Sequence, residues 1–155
     1  SRYTLALGAA LRGRGEADTV IGAGVDAITE RMHGLADRDQ PDPPAALRTL
    51  DVNRKGTLLG DGAAAVVLRR EDLPWPGGRL WGRLRGVGMT CDAKHPPAPD
   101  REQVAEAMRQ AHRHAGTRPG DIDLVLLHGT GTPLNDRVEI TAYGEVFGDA
   151  AGGPV

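Results

Sequence analysis

The stretch Ile122-Asp-Leu-Val-Leu-Leu-His128-Gly-Thr-Gly-Thr-Pro133-Leu-Asn-Asp-Arg-Val-Glu139 contains the strongest structural signals of this sequence. Its first six residues are an almost unbroken apolar run, which is typical of a strand covered on both faces. A loop with two glycines follows, and Pro133 suits the first position of a helix. The apolar stripe of that helix is expected to consist of Leu134, Val138, Ala142 and Val146. The stretch therefore predicts a strand, a glycine-rich loop and a helix, with His128 where the strand ends.

The rest of the chain predicts further helices and strands in alternation, which indicates an α/β fold. Helices are expected over Leu5–Arg14, over Ala27–Leu35, and from an N-cap at Asp100 to a stop at Gly116. Strands are expected over Asp18–Val25, Gly62–Arg69 and Leu80–Met89. The first strand is expected to be buried and to run into a glycine turn, and the other two are expected to form a hairpin.

Composition and charge exclude several classes of protein. The chain has 155 residues, of which 39% are hydrophobic and 26% charged, and this suits about one globular domain. Nineteen basic and 21 acidic residues give a net charge of −2, which disfavours nucleic acid and anionic membranes as partners. No apolar run reaches the roughly 20 residues that cross a bilayer. Cys91 is the single cysteine, so a reducing, cytoplasmic location is expected and Cys91 itself is interpreted as inert.

His128 is the main candidate for chemistry, because ligands bind at the carboxyl edge of strands in α/β sheets. The two glycines after it allow the backbone to approach a ligand closely, and Thr130 and Thr132 add hydroxyl donors. A single histidine is more often structural than functional. The pattern of glycines, threonines and acids that follows His128 is a far more specific signal than a histidine alone. The cysteine and histidines lack the spacing of zinc ligands, so no metal site is predicted.

These residues resemble the His-Gly-Thr-x-Thr motif of the β-ketoacyl-acyl-carrier-protein synthases, the condensing enzymes of fatty acid and polyketide synthesis. Other segments resemble the same family in the same order, so that the resemblance covers essentially the whole chain. It implies a thiolase-like α/β fold with a mixed sheet flanked by helices. Residues 1–72 would be the end of its N-terminal half and residues 73–155 the start of its C-terminal half. The other matching segments are Gly15–Gly24, Asp51–Ala63, Asp92–Pro99 and Val146–Gly148.

The resemblance also implies roles for individual residues. His128 would be the catalytic residue that hydrogen-bonds an enolate oxygen when malonyl carrier protein loses carbon dioxide. Thr130 and Thr132 would bind the amides of phosphopantetheine, and Pro97 and Pro99 would line the same cavity. The chain itself would bind no cofactor, since phosphopantetheine belongs to the acyl carrier protein that delivers the substrate.

Asp136 and Glu139 lie three residues apart, on one face of the predicted helix. From composition alone they could be two solvated acids at a helix start, where the helix dipole favours negative charge. The resemblance implies instead that they anchor the histidine loop, and we predict structural support with no role in proton transfer.

The family's nucleophilic cysteine would fall before Ser1, and its lysine and second histidine would fall after Val155. The chain is therefore expected to be the middle of a longer protein and inactive by itself. Family members are dimers, so either a homodimer or a heterodimer of ketosynthase and chain-length factor is expected. The chain also departs from the family pattern at Thr49, Leu50 and Thr57, where Pro, Phe and Phe are usual.

Two other interpretations are left open. A chain-length-factor-like subunit would have the same fold without catalysis. An unrelated oxidoreductase would use Gly22-x-Gly24-x-x-Ala27 as a dinucleotide fingerprint, although no strand with a ribose-binding acid follows. Arg109 and Arg113 share a helix face that could meet an acidic carrier protein, with a solvated face as the plainer explanation.

Overall fold

The computed structural model describes residues 2–40, 44–74, 77–91 and 99–148. Contacts divide the chain into two compact units, of which the first comprises Ser1–Glu30 and Leu59–Leu84 and the second Arg31–Leu58 and Arg85–Val155. The boundary predicted after residue 72 concerns the halves of a larger fold and stays a prediction. In chain order, the elements of the described residues are α1 (Arg2–Gly13), β1 (Thr19–Asp26), α2 (Glu30–Asp39), β2 (Gly62–Arg69), α3 (Arg101–Ala115), a 3-10 turn (Pro119–Asp121) and α4 (Pro133–Phe147).

In the first unit, β1 and β2 pair antiparallel, from Thr19 opposite Arg69 to Asp26 opposite Gly62. Helix α1 packs on this pair, and small residues permit the close approach. A Cβ atom placed on Gly22 of β1 would lie 3.2 Å from Cγ2 of Thr4 in α1. Other β1 side chains are open, because Ile21 is 70% and Val25 is 76% exposed.

The predicted glycine turn after Ile21 is wrong. Gly22 and Gly24 lie inside β1, opposite Val66 and Ala64, and the strand continues to Asp26. Glycine is accommodated within this strand because α1 lies so close to it. A dinucleotide fingerprint requires a tight turn from strand into helix at these glycines, so this geometry contradicts the oxidoreductase alternative. The expectation of a buried strand is also wrong, since most residues of β1 are exposed.

The strands predicted over 80–89 and 122–127 are not strands among the residues that the structure describes. The partner of β2 is β1, so the predicted hairpin is wrong as well. A strand needs a neighbour to bond its backbone, and the apolar pattern alone does not supply one. The large side chains of these two segments remain uncovered, with Trp81 84% and Leu126 82% exposed.

The chain after Leu84 lies against α3 instead of extending a hairpin. A Cβ atom on Gly86 would lie 2.5 Å from the carbonyl oxygen of Ala111, and one on Gly88 would collide with the carbonyl of Ala107. The two glycines therefore let this segment approach the helix backbone directly.

In the second unit, α3 begins and ends as predicted. The side chain of Asp100 accepts hydrogen bonds from the backbone N–H groups of Glu102 and Gln103, and Gly116 ends the helix in the left-handed conformation with φ 64°. Helix α3 packs on α4, where Ala105 and Ala142 are fully buried and Phe147 is 9% exposed. No helix in the described part of the chain has the length and apolar character needed to cross a membrane.

Candidate functional site

The start of α4 buries two carboxylates. Asp136 is 1% and Glu139 is 8% exposed, whereas Leu134 of the predicted apolar stripe is 50% exposed. Ala142 is the member of that stripe that is fully buried. A buried carboxylate is costly unless donors satisfy it, so the inward face of this helix is determined by its hydrogen-bond partners.

Glu139 is satisfied by the loop that precedes the helix. Its Oε1 atom accepts a hydrogen bond of 2.6 Å from the backbone N–H of His128, and its Oε2 atom accepts one of 2.8 Å from that of Gly129. Each carboxylate oxygen thus holds one peptide group, which fixes the backbone of His128 relative to α4.

Asp136 joins the same loop to a second segment. Its Oδ1 atom accepts a hydrogen bond of 3.1 Å from Gly131 N–H, and its Oδ2 atom accepts one of 2.8 Å from Leu50 N–H. The Nε atom of Arg54 lies 4.0 Å from Oδ2 and adds positive charge. Leu50 itself has φ 60°, a conformation that residues other than glycine rarely adopt.

Thr49 completes this support from the segment that contains Leu50. Its hydroxyl donates a hydrogen bond of 2.9 Å to the carbonyl oxygen of Gly129. Every peptide group from 127–128 to 130–131 therefore has a hydrogen bond to a side chain. The loop is thus held both by α4 and by the segment around Thr49.

Gly129 and Gly131 are required by their geometry. Both are buried and have positive φ, 52° and 76°. A Cβ atom on Gly131 would lie 2.6 Å from the carbonyl oxygen of Gly56, and one on Gly129 would collide with Cγ2 of Thr49. Larger residues would thus be excluded both by conformation and by space.

The hydroxyl groups of Thr130 and Thr132 lie 2.9 Å apart and share a hydrogen bond. Thr132 is also the N-cap of α4 and accepts a hydrogen bond of 3.3 Å from the backbone N–H of Asn135. Because one hydroxyl hydrogen is used within the pair, one remains for an external acceptor. The two threonines can therefore offer a ligand a single hydroxyl donor at a time.

His128 is exposed, while the glycine that follows it is buried. The structure thus brings His128, Thr130 and Thr132 together on one loop with the two carboxylates beneath it. Pro99 is half-buried and lies next to the N-cap of α3, in another segment. Pro97 lies outside the described residues, so its predicted place in the cavity wall stays a prediction.

Thr49 and the amide of Leu50 were not among the predicted site residues. Thr49 lies 80 residues before Gly129, and no local pattern relates the two. The one available signal was the unusual Thr49-Leu50 pair before the Asp51–Arg54 motif. In the described residues, no group of three or more His, Cys, Asp or Glu side chains could hold a metal ion.

The arginine face of α3 is paired with acids of α3 and α4. Arg113 contacts Glu106 at 2.5 Å, and Arg109 lies 4.0 Å from Glu106 and 3.9 Å from Glu145. The hydrogen bond from Arg113 lowers the pKa of the Glu106 carboxyl from its ordinary value, with smaller contributions from Gln110 and Arg109. These pairs reduce the positive charge that this face would present to an acidic partner.

Comparison with known proteins places this loop in a recognised setting. Residues 81–155 match the family described as "Beta-ketoacyl synthase, C-terminal domain". Nodulation protein E of Rhizobium meliloti is 36% identical over 146 residues, which cover 88% of this chain and 35% of that protein. The mitochondrial 3-oxoacyl-[acyl-carrier-protein] synthase of Arabidopsis thaliana is 33% identical over 148 residues, which cover 88% of this chain and 32% of that protein.

Among solved structures, the ishigamide ketosynthase/chain length factor superposes with a TM-score of 0.88 at 34% identity. The match covers 96% of this chain and 37% of that one. The chain thus spans about a third of the length of the relatives it matches. The arrangement of its elements is that of the thiolase-like ketosynthases, which confirms the predicted fold class.

Proposed function

The chain belongs to the β-ketoacyl synthase family, and on that premise we propose that it forms part of the active site of an enzyme of fatty acid or polyketide synthesis. In the proposed reaction, malonyl thioester on an acyl carrier protein loses carbon dioxide and leaves an enolate. The enolate carbon attacks the carbonyl of an acyl group held as a thioester on the family's nucleophilic cysteine. A carbon–carbon bond forms and the thiolate leaves.

The observation that supports this proposal best is an exposed His128 whose backbone N–H, like that of Gly129, is hydrogen-bonded to Glu139. Negative charge develops on the thioester oxygen as carbon dioxide leaves. An imidazole N–H on a backbone that is held in place can donate a hydrogen bond to that oxygen. Because Glu139 accepts a hydrogen bond from the backbone N–H of His128, the backbone that carries the ring is held against α4.

The threonine pair is the proposed contact for the arm that carries the substrate. Phosphopantetheine contains amide carbonyls, and one hydroxyl hydrogen of Thr130 and Thr132 is available to donate to such a group. Binding of the arm would position the two carbon atoms that react. Such positioning supplies a large part of the rate acceleration when an enzyme joins two reactants. Pro97 and Pro99 are proposed to line the same cavity. The chain itself requires no bound cofactor in this scheme.

Asp136 and Glu139 are proposed to support the loop and not to transfer protons. Both oxygens of each carboxylate are occupied by backbone N–H donors. Both side chains are also buried, so neither carboxylate is exposed to a substrate.

The proposed partners are an acyl carrier protein and a second ketosynthase-like subunit, either identical or a chain-length factor, in the cytoplasm. The ishigamide structure pairs a ketosynthase with a chain length factor, and this supports such an assembly. The uncovered side chains of Ile21 and Val25 also favour a covering layer in the assembled protein. A non-catalytic chain-length-factor role remains the second candidate, since it would use the same fold.

The test uses the intact polypeptide that contains these residues and measures carbon dioxide release from malonyl carrier protein. We expect His128→Ala to lower this rate by about 100-fold or more, the usual loss of one donor to a developing oxyanion. Transfer of an acyl group to the protein should persist. His33→Ala, at an exposed position of α2, is the control.

Decarboxylation by His128→Ala at the unchanged rate would contradict the proposed role of this histidine. A parent polypeptide that is neither acylated nor able to decarboxylate, but that alters the products of a partner ketosynthase, would establish the chain-length-factor alternative.

A further inference from the structure

We propose that Thr49 is a positioning residue that sets the orientation of the His128 loop, an inference that rests on the proposed function of His128. The hydroxyl of Thr49 donates a hydrogen bond of 2.9 Å to the carbonyl oxygen of Gly129, from a segment 80 residues away. Thr49 does not reach the reacting atoms in this proposal. It acts through the backbone next to His128.

The argument begins with the freedom of Gly129. This glycine follows His128 directly and has φ 52°, so no side chain of its own restricts the two peptide planes that meet at its Cα atom. The plane on its amino side is held because its N–H donates to Glu139. The plane on its carboxyl side carries the carbonyl that Thr49 binds. The two hydrogen bonds together restrict both backbone dihedrals of Gly129.

The methyl group of Thr49 contributes separately. Its Cγ2 atom occupies the space next to Gly129 where a Cβ atom would be, so it packs against the buried face of the loop. The methyl group restricts the space around Gly129, and the hydroxyl fixes the direction of its carbonyl. This division of roles lets the two groups be tested independently.

Thr49 is itself held in place by its neighbour. Leu50 donates its backbone N–H to Asp136 at 2.8 Å and adopts φ 60°. A left-handed conformation at a leucine persists where surrounding contacts determine it. Asp136 also binds Gly131 of the histidine loop. The carboxylate of Asp136 therefore binds both the segment around Thr49 and the histidine loop, and so fixes their relative position.

The experiment compares Thr49→Val with Thr49→Ser in the intact polypeptide. Valine retains the shape and the Cγ2 methyl group but has no donor, whereas serine retains the hydroxyl. We expect the valine variant to lower the kcat of malonyl decarboxylation about tenfold, as for one lost positioning hydrogen bond. Its KM for malonyl carrier protein should stay within about twofold, because Thr49 does not contact the substrate. The serine variant should retain most of the kcat.

A structural readout accompanies the rates. The ring resonances of His128 in NMR spectra should be sharp in the parent and in Thr49→Ser, and broadened or shifted in Thr49→Val. Should the valine variant fail to fold, Thr49→Ser and Thr49→Ala provide the same comparison, since both lack the methyl group and they differ in the hydroxyl.

The inference is overturned if variants with and without the hydroxyl have equal kcat and identical His128 resonances. It is also overturned if Thr49→Val changes kcat and KM together and these changes follow the loss in its free energy of unfolding. Failure of the proposed function is a distinct result. In that case His128→Ala equals the parent in decarboxylation, while the ring resonances still report whether Thr49 orients the loop.

Discussion

Glu139, 11 residues after His128, accepts a hydrogen bond of 2.6 Å from the backbone N–H of His128. Its other oxygen accepts one from the backbone N–H of Gly129. The side-chain carboxylate of Glu139 thus takes the place of the backbone carbonyl that would accept from these amides in a β-sheet. The arrangement explains how an exposed histidine can be followed by a buried glycine whose N–H is satisfied.

The first prediction concerns Glu139→Gln. A carboxamide has one oxygen and an NH₂ group, so it can accept from one of the two loop amides and opposes the other. We expect the free energy of unfolding to fall by about 1–3 kcal/mol. Amide hydrogen exchange at His128 and Gly129 should become faster. Glu102→Gln, at an exposed position of α3, is the control and should change stability little. Unchanged exchange at both loop amides would show that the carboxylate does not hold them.

The second prediction concerns Gly88→Ala. A Cβ atom at Gly88 would collide with the carbonyl oxygen of Ala107 in α3, so the segment must move away from the helix. We expect a loss of about 1–3 kcal/mol in the free energy of unfolding, as for other overpacked positions. Gly82→Ala is a matched control, because a Cβ atom there meets no atom within 4 Å. Equal melting temperatures for the two variants would contradict the close approach at Gly88.

The third prediction concerns pH. The hydrogen bond from Arg113 lowers the pKa of Glu106 in the folded protein, so the ionised form is favoured by folding. The resulting stabilisation is present above the ordinary carboxyl pKa of about 4.3 and is lost as the pH falls through the lowered folded value. In Arg113→Gln, the pKa of Glu106 measured by NMR should rise toward its ordinary value.

Arg113→Lys serves as the control for that measurement, since it keeps the charge and should retain part of the shift. Both side chains are partly exposed, so added salt should reduce the shift in the parent protein. A Glu106 pKa that is the same with Gln and with Arg at position 113 would contradict the assignment.

Local signals in the sequence predicted the elements whose ends are determined by nearby residues. Asp100 and Gly116 bound α3, and the run Gly62–Arg69 forms β2, because caps and short apolar runs act within a few residues. The strand predicted over 122–127 fails for the opposite reason. Its apolar pattern indicates that the side chains favour burial, but a strand also needs a neighbouring strand to hydrogen-bond its backbone.

The candidate site was predictable to the extent that its groups are close in sequence. The spacing of Asp136 and Glu139 placed them on one helix face, and the family resemblance suggested that they hold the loop. Composition alone favoured solvated acids, because burial of these groups is decided by the amide donors of a loop and not by the helix itself. The contact of Thr49 with Gly129 joins residues far apart in sequence, so propensity and periodicity carried no information about it.

The hydrogen bonds along the histidine loop have a practical consequence for anyone surveying variants of this region. Since the backbone that carries the imidazole is held by two interior acids, damage to these acids will first appear as a poorer yield of correctly folded material. A turnover rate calculated per milligram of purified sample would then not distinguish a smaller fraction of folded protein from a lower rate per folded molecule. Titrating competent molecules before comparing velocities separates the two.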